Sequence, residues 1–448
     1  MGWIIAAIVV LVPLLLLVCF RPGRRLLSTN LIAAKYSLLW LTGVLRITRR
    51  LNRPMMLRLI FEDLGPTYIK LGQIIASSPG LFTEPYVKEF RKCLDRVRPF
   101  SFETAITILR EELGERALDL DVEPEPLASA SIAQVHGARS NADEDLVVKI
   151  QRPDIEHLIE ADLTIMRFWA RVAEALLPTV RMANPVGIID DFSKTIHEEL
   201  DFNLEGQNID EFNRIMGELG HDKICAPRVE WDRTTRRVLT MERFHGHNVD
   251  DVEAIRQSDV DAEEKLLEGM RAWFQCVMFY GLFHGDVHAG NLMWLHDGRI
   301  GFLDFGIVGR FNDLQRKMVT RYVMAFATGQ FRQLAEVMVE MGSTRSDVDV
   351  DRLAADVEKA YAPVREMSFG SMRYIDLLPD ILRMARRHRL RQPREFILIV
   401  KQVLYFDRYA KLLAPDLNVF TDPRVFSALA EDVARALAQG GVGARAEM

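Results

Sequence analysis

The run His284-Gly285-Asp286-Val287-His288-Ala289-Gly290-Asn291, followed a short way on by Asp304-Phe305-Gly306, constrains this chain more than any other feature. Between the two, Leu292-Met293-Trp294-Leu295, His296-Asp297-Gly298-Arg299 and Ile300-Gly301-Phe302-Leu303 read as strand, turn and strand, with Asp297-Gly298 as the hairpin signal. A hairpin there brings Asn291 and Asp304 to adjacent ends. An amide oxygen beside a carboxylate suits the magnesium ions that bridge nucleotide phosphates, and Asp286 stands where an attacking hydroxyl would lose its proton. The pattern points to phosphoryl transfer. A lone Asp-Phe-Gly carries little weight, and His-x-Asp-x-His also suits a transition metal. No further His cluster or carboxylate ladder accompanies it, so the joint spacing favours the phosphoryl-transfer reading.

A lysine is needed upstream. Ile132 to His136 and Leu146 to Ile150 read as two antiparallel strands joined across the polar turn Asn141 to Asp145, after a pattern-breaking boundary from Asp119 to Pro126. Lys149 ends the second strand and is the expected partner of nucleotide phosphates. A single helix is predicted from Val186 to Phe212; it carries Glu198, Glu199, Asp201 and Glu205, one of which should pair with Lys149. Val238 to Phe244 reads as a strand whose end, Met241, Glu242 and Phe244, would meet an adenine ring. A helix from Glu263 to Tyr280 ends at Gly281, a good C-cap. Beyond Gly306 the chain turns helical almost at once, with Leu314, Met318, Tyr322, Val323 and Phe326 at helical spacing. That leaves no room for a long Ser/Thr-bearing activation loop.

With 448 residues, 49% of them hydrophobic, the chain can bury a large core in more than one structural unit. A net charge of -6 and the lack of a basic stripe interleaved with aromatics argue against nucleic acid as a partner. Cys19, Cys93, Cys225 and Cys276 are scattered, as expected of reduced thiols in a cytosolic body. From Trp3 to Phe20 no charge appears, so a single-pass N-terminal membrane anchor is expected. From Arg21 to Phe61 the charged residues are all basic, which places the body in the cytoplasm by the positive-inside rule. Tyr36 to Leu45 reads as an interfacial helix on anionic lipid.

These residues together resemble the ABC1/UbiB family of atypical kinase-like proteins, also called ADCK or aarF-domain proteins, over roughly Glu62 to Asn418. Lys70-Leu71-Gly72-Gln73 fits the family's Lys-x-Gly-Gln signature, which ordinary kinases lack. Ala128-Ser129-Ala130-Ser131-Ile132-Ala133-Gln134-Val135-His136 resembles its alanine-rich loop, which replaces a glycine-rich phosphate cover. Glu199-Leu200-Asp201 resembles its Glu-x-Asp motif, with Glu205 as the implied partner of Lys149. The resemblance implies that Lys70 and Gln73, held by Glu199 and Asp201, point into the space where a peptide would dock. Two departures stand out: Ala289 replaces the family's usual proline, and Ser78-Pro79 occurs where an arginine is common.

The expectation is therefore an α+β, protein-kinase-like two-lobe fold with a helical N-terminal extension and a transmembrane helix. Its parts would be an anchor over 1–24, a basic and helical extension over 25–125, an N-lobe over 126–243, a C-lobe over 244–435 and a flexible tail over 436–448. The implied cofactors are ATP and Mg2+. Asp286, Lys149 and Glu205 are the catalytic candidates, and Asn291 and Asp304 the metal ligands. Ala128, Ser129, Ala130, Ser131, Ile132, Val135, Lys149, Met241, Glu242 and Phe244 would contact ATP, while Lys70, Gln73, Glu199 and Asp201 occlude. ATP hydrolysis or small-molecule phosphorylation in support of quinone or other isoprenoid-lipid metabolism is expected, with membrane lipids and a small lipid as partners. A true protein kinase and a nucleotide-gated lipid-binding module stay open as alternatives. Oligomeric state also stays open.

Overall fold

This computed structural model describes residues 21–438 apart from 46–50, 78–83, 91, 94–97, 177–183, 259, 343–347, 367–382, 385–386, 389, 391–393, 416 and 418–421. The chain divides into two units, Met1–Asn203 with Glu230–Met241, and Leu204–Val229 with Glu242–Met448. The α+β class expected from the sequence is what the described residues form.

The first unit opens with helices α1 (Arg21–Val44), α2 (Arg53–Leu64), α3 (Pro66–Ser77), α4 (Glu84–Phe90) and α5 (Phe102–Leu113). Asn52 caps α2 by accepting from Met55 N, with Pro54 in the first turn where its missing N–H costs nothing. Ser101 caps α5, whose other end stops at Gly114 with φ 58°. Strands β1 (Leu120–Ser129), β2 (Ala133–Ser140) and β3 (Asp145–Gln151) follow, then α6 (Ile155–Leu176) and α7 (Pro185–Glu199). With β4 (Ile224–Cys225) lying in the second unit, β5 (Val238–Glu242) completes a sheet of order β1-β2-β3-β5. Burial alternates along β3, so Leu146, Val148 and Ile150 pack on Ile108, Leu109 and Leu113 of α5 while Lys149 lies on the other face.

Two sequence expectations need correction here. The helical pattern does break at Asp119, but the stretch up to Pro126 is the first part of β1, which starts at Leu120, rather than a boundary before the sheet; Pro124 and Pro126 are tolerated because β1 is an edge strand, and its register shifts on both sides of Pro126. The single helix from Val186 to Phe212 is two, α7 and α8 (Phe202–Leu219). The chain is pulled out of helix between them, where Gln151 Nε2 bonds Leu200 O and Phe202 N donates to Arg236 O at 3.1 Å.

The transmembrane helix is also corrected. No helix among the described residues is long and apolar enough to cross a membrane, and Trp3 to Phe20 lies outside those residues. The basic stretch after it is partly neutralised within the fold. Arg25 makes a two-pronged bond to the fully buried Asp162 (2.6 and 2.9 Å), Lys35 meets Asp63 at 2.7 Å and Arg58 meets Glu89 at 3.0 Å. These pairs fasten α1 to α6 and α2, and α2 to α4. The Asp63 carboxyl is held below its ordinary range by its hydrogen bond from Lys35.

The second unit takes up most of α8 and β4, then β6 (Gly246–Asn248), α9 (Val252–Gln257), α10 (Ala262–Gln275) and β7 (Leu282–His284). Strands β8 (Leu292–Leu295), β9 (Ile300–Phe302) and β10 (Val308–Arg310) come next, followed by α11 (Asp313–Thr328), α12 (Phe331–Gly342), α13 (Val350–Glu366), α14 (Arg394–Leu413) and α15 (Pro423–Ala438). One small sheet has the order β4-β9-β8-β6, the other pairs β7 with β10. Helix α10 runs on through a wider turn to Tyr280 and stops at Gly281, φ 69°. A side chain at 281 would strike Phe311 O at 2.7 Å, so glycine alone fits where that carbonyl approaches. Leu334 and Met338 of α12 and Leu353 and Val357 of α13 form a helical core of their own.

Candidate active site

Asp286 follows β7, whose last residue, His284, is paired with Val308 of β10 and almost fully buried. The Asp286 amide donates to His284 Nδ1 at 3.1 Å, which fixes the tautomer: Nε2 carries the hydrogen and donates to Leu303 O at 2.8 Å. Burial pushes the imidazole pKa down, so the ring is a neutral bridge joining the start of the loop to the chain before Asp304. Gly285 lies so close to Ile307 that an added Cβ would sit 2.8 Å from its side chain. The Asp286 side chain is partly exposed, with His288 Nε2 3.8 Å from its carboxylate.

Strands β8 and β9 form the hairpin, Leu292 opposite Phe302, with Gly298 at φ 86° in the turn. One step past the paired ends, Leu303 N donates to Asn291 O at 2.8 Å, so the hairpin sets Asn291 next to the residue preceding Asp304. Asn291 is buried and its Nδ2 donates to Asp286 O at 3.0 Å. Its amide oxygen is then the end left for a hard cation. Asp304 is exposed and adopts φ 55°, a left-handed backbone that an Asp tolerates when its side chain bonds locally; here Oδ1 accepts from Gly306 N at 3.2 Å. Phe305 is fully buried against His284 and Phe212, ring centroids 4.8 and 5.0 Å away, and Asn208 of α8 donates to its carbonyl at 3.0 Å. One carboxylate and one amide oxygen are the hard donors that would suit a magnesium ion. Among the described residues no group of three or more His, Cys, Asp or Glu side chains is placed to hold a metal ion.

The first unit carries the nucleotide candidates. Ala128 pairs with Val135 and Val135 with Lys149, so these three form a row across β1, β2 and β3. Lys149 Nζ sits 5.3 Å from the Phe202 ring centre. The loop between β1 and β2 is a tight turn in which Ala130 N donates to Ala133 O at 2.8 Å, with Ser131 and Ile132 buried. Arg152 ties that turn down, donating to Ala130 O at 2.9 Å and to Ser129 Oγ at 2.8 Å while its guanidinium lies over Phe100. Met241 is buried at the end of the first unit. In the second unit the Glu242 amide is committed to Arg228 O at 2.9 Å, and the Phe244 ring packs so tightly over Gly301 that a Cβ there would meet it at 2.7 Å. Glu205 is buried in the first turn of α8.

Of the occluding candidates, Lys70 on α3 forms an ion pair with Glu199 at the end of α7, 2.7 Å, with Glu199 almost fully buried. Asp201 accepts from Asn203 N at 3.0 Å and so starts α8. Gln73 is half-buried on α3. Gly72 lets α3 lie against Phe90 and Cys93 of the next segment, since a Cβ would stand 2.8 Å from the Phe90 ring. Ala289 is buried in the turn before Asn291, while Ser78-Pro79 lies outside the described residues. Sequence reasoning quoted His284 in the motif without giving it a role, and overlooked Asn208 and Arg152. The first lies two residues before Asp286, within the motif itself; the other two act mainly on backbone carbonyls far off in the chain and leave no local signal.

The family described as the ABC1 atypical kinase-like domain matches residues 92–338. An uncharacterised chloroplastic aarF domain-containing protein kinase of Arabidopsis thaliana is 41% identical over 399 residues, covering 83% of this chain and 74% of that relative. A probable protein kinase UbiB of Pseudomonas fluorescens is 30% identical over 404 residues, 88% of this chain and 75% of the relative. Among solved structures, the Mycobacterium tuberculosis protein Rv3197, in its complex with erythromycin, shares the fold with a TM-score of 0.53 at 23% identity, over 77% of this chain and 87% of that one.

Proposed function

Because the chain belongs to the ABC1 family of atypical kinase-like proteins, we propose that it is a magnesium- and ATP-dependent phosphotransferase whose acceptor is water or a small hydroxyl compound. The observation that carries this reading is the arrangement around β8 and β9, where Asn291 and the Asp286 carbonyl share a hydrogen bond and Asp304 follows directly across the hairpin. Asp286 takes the proton as the acceptor oxygen bonds the terminal phosphorus and the bond to the bridging oxygen breaks, releasing ADP. Asn291 and Asp304 would hold the magnesium ion, which would supply charge neutralisation on the phosphates.

Protein substrates are disfavoured because only residues 305–312 separate Asp304 from α11, and three of these form β10, so no extended segment is available to lay out a peptide. A lipid surface is the partner this reading favours: Leu31, Leu38 and Leu41 on α1 and Leu45 just after it are exposed, at spacings of seven, three and four residues that place them on one face.

Purified protein should hydrolyse ATP slowly in the presence of magnesium, and Asp286→Asn should abolish turnover while nucleotide binding persists. Wild-type turnover in Asp286→Asn would overturn the assignment. Efficient, Asp286-dependent labelling of added proteins would favour a protein kinase instead.

A further inference from the structure

Helix α14 carries a side chain whose geometry concerns Asp286 rather than the helix's own packing. Gln402 is fully buried. Its Oε1 accepts from Val287 N at 2.7 Å and its Nε2 donates to Gly285 O at 2.6 Å. The two partners are a backbone donor and a backbone acceptor, so the orientation of the amide is not open to exchange. Seven residues along α14, the Tyr409 hydroxyl donates to Val287 O at 3.0 Å, and burial pushes its pKa up so that it keeps its hydrogen. The helix is itself fixed by Phe406, whose ring lies 5.9 Å from that of the buried Trp273 on α10.

We propose that Gln402 is the positioning residue for the catalytic base, with Tyr409 in support, and this rests on the role given to Asp286 above. The peptide groups on both sides of Asp286 are gripped by one amide, while its own N–H and carbonyl are held by His284 and Asn291. Rotation about the Asp286 backbone is thereby blocked at every polar group that could follow it. A side-chain amide offers a donor and an acceptor side by side; a carboxylate would face Gly285 O with a like partial charge, and an ammonium could not accept from Val287 N. The buried donor and acceptor would otherwise stand unsatisfied, which explains a polar residue at the centre of an apolar contact.

The test uses the full chain, with steady-state ATP turnover, thermal melting and site-resolved hydrogen exchange. Gln402→Met keeps the length and removes both bonds. Turnover should fall about tenfold or more with KM for ATP within about twofold, as expected when a reacting group is misplaced while binding contacts stay. Exchange at the Val287 amide should quicken. Tyr409→Phe removes one bond and should give the same pattern more weakly; it decides the matter if Gln402→Met does not melt cooperatively. Wild-type turnover in a folded Gln402→Met, a KM rise that matches the loss of turnover, or unchanged Val287 exchange would each overturn the positioning role. Asp286→Asn, run alongside, separates the two readings: if it turns over like wild type the functional proposal fails, whereas a dead Asp286→Asn with a fully active Gln402→Met removes the positioning role alone.

Discussion

Asn291 donates its side-chain nitrogen to the carbonyl oxygen of Asp286 at 3.0 Å, so the proposed metal ligand and the residue bearing the proposed base move as one piece. Substitutions at the two metal positions should therefore differ in kind. Asp304→Asn removes a charge from an exposed side chain and should weaken magnesium-dependent ATP binding by about tenfold or more, equal to about 1.4 kcal/mol, without altering the fold. Asn291→Ala should weaken binding and also lower turnover at saturating nucleotide, since Asp286 loses a bond. Calorimetry with and without magnesium measures the first effect, and unchanged affinity in Asp304→Asn would remove it from the ligand set.

The Lys70–Glu199 pair predicts a stability cycle. Lys70→Met leaves an almost fully buried carboxylate without its ammonium, a loss of about 3 kcal/mol. Adding Glu199→Gln should restore most of it. Urea unfolding of the two single variants and the double variant gives the coupling, and additive losses would mean the pair contributes nothing of its own.

Asp407 on α14 makes stability depend on pH with an unusual sign. Its Oδ1 is buried without a hydrogen-bond partner, and burial raises the carboxyl to about 6 despite Lys411 at 2.7 Å. The folded chain thus keeps a proton that the unfolded chain has released, so the stability from this group is full below the ordinary carboxylate range and is lost as pH rises through about 6. Asp407→Asn should flatten the fall in melting temperature between pH 5 and pH 7.5. Identical slopes in variant and wild type would refute this.

Gly72→Ala places a methyl 2.8 Å from the Phe90 ring, which is fully buried and cannot yield freely. A loss of about 1–3 kcal/mol is expected from such overpacking. A variant as stable as wild type would show that the helices bearing these residues separate readily.

The leucine face of α1 gives the lipid proposal its own check. Leu38→Glu with Leu41→Glu alters exposed positions only and should abolish sedimentation with anionic vesicles while melting stays unchanged. Equal sedimentation of the double variant would remove this face as the contact.

What the sequence revealed and what it hid follow one physical line. The hairpin was legible because Asp297-Gly298 and the flanking apolar runs are local signals, and Gly281 announced its helix end the same way. Strand β1 was hidden because proline is a breaker everywhere except at a sheet edge, and edges exist only in three dimensions. The break between α7 and α8 has neither glycine nor proline; it is imposed by Gln151 and Arg236, which lie far off in the chain. Gln402 belongs with these, being separated from Val287 by 115 residues and embedded in an unremarkable helical pattern.

That separation also orders events during synthesis. The segment from β7 to β10 closes on itself through neighbours in sequence, so it is able to fold soon after it leaves the ribosome. Gln402 emerges 115 residues after Val287. Until α14 docks, a nascent chain holds the 285–287 loop without a brace, and a product truncated before Arg394 keeps Asp286, Asn291 and Asp304 yet lacks the grip of Gln402 on Gly285 and Val287. The helix that braces the loop is thus delivered late in translation, after the segment it braces has had time to close.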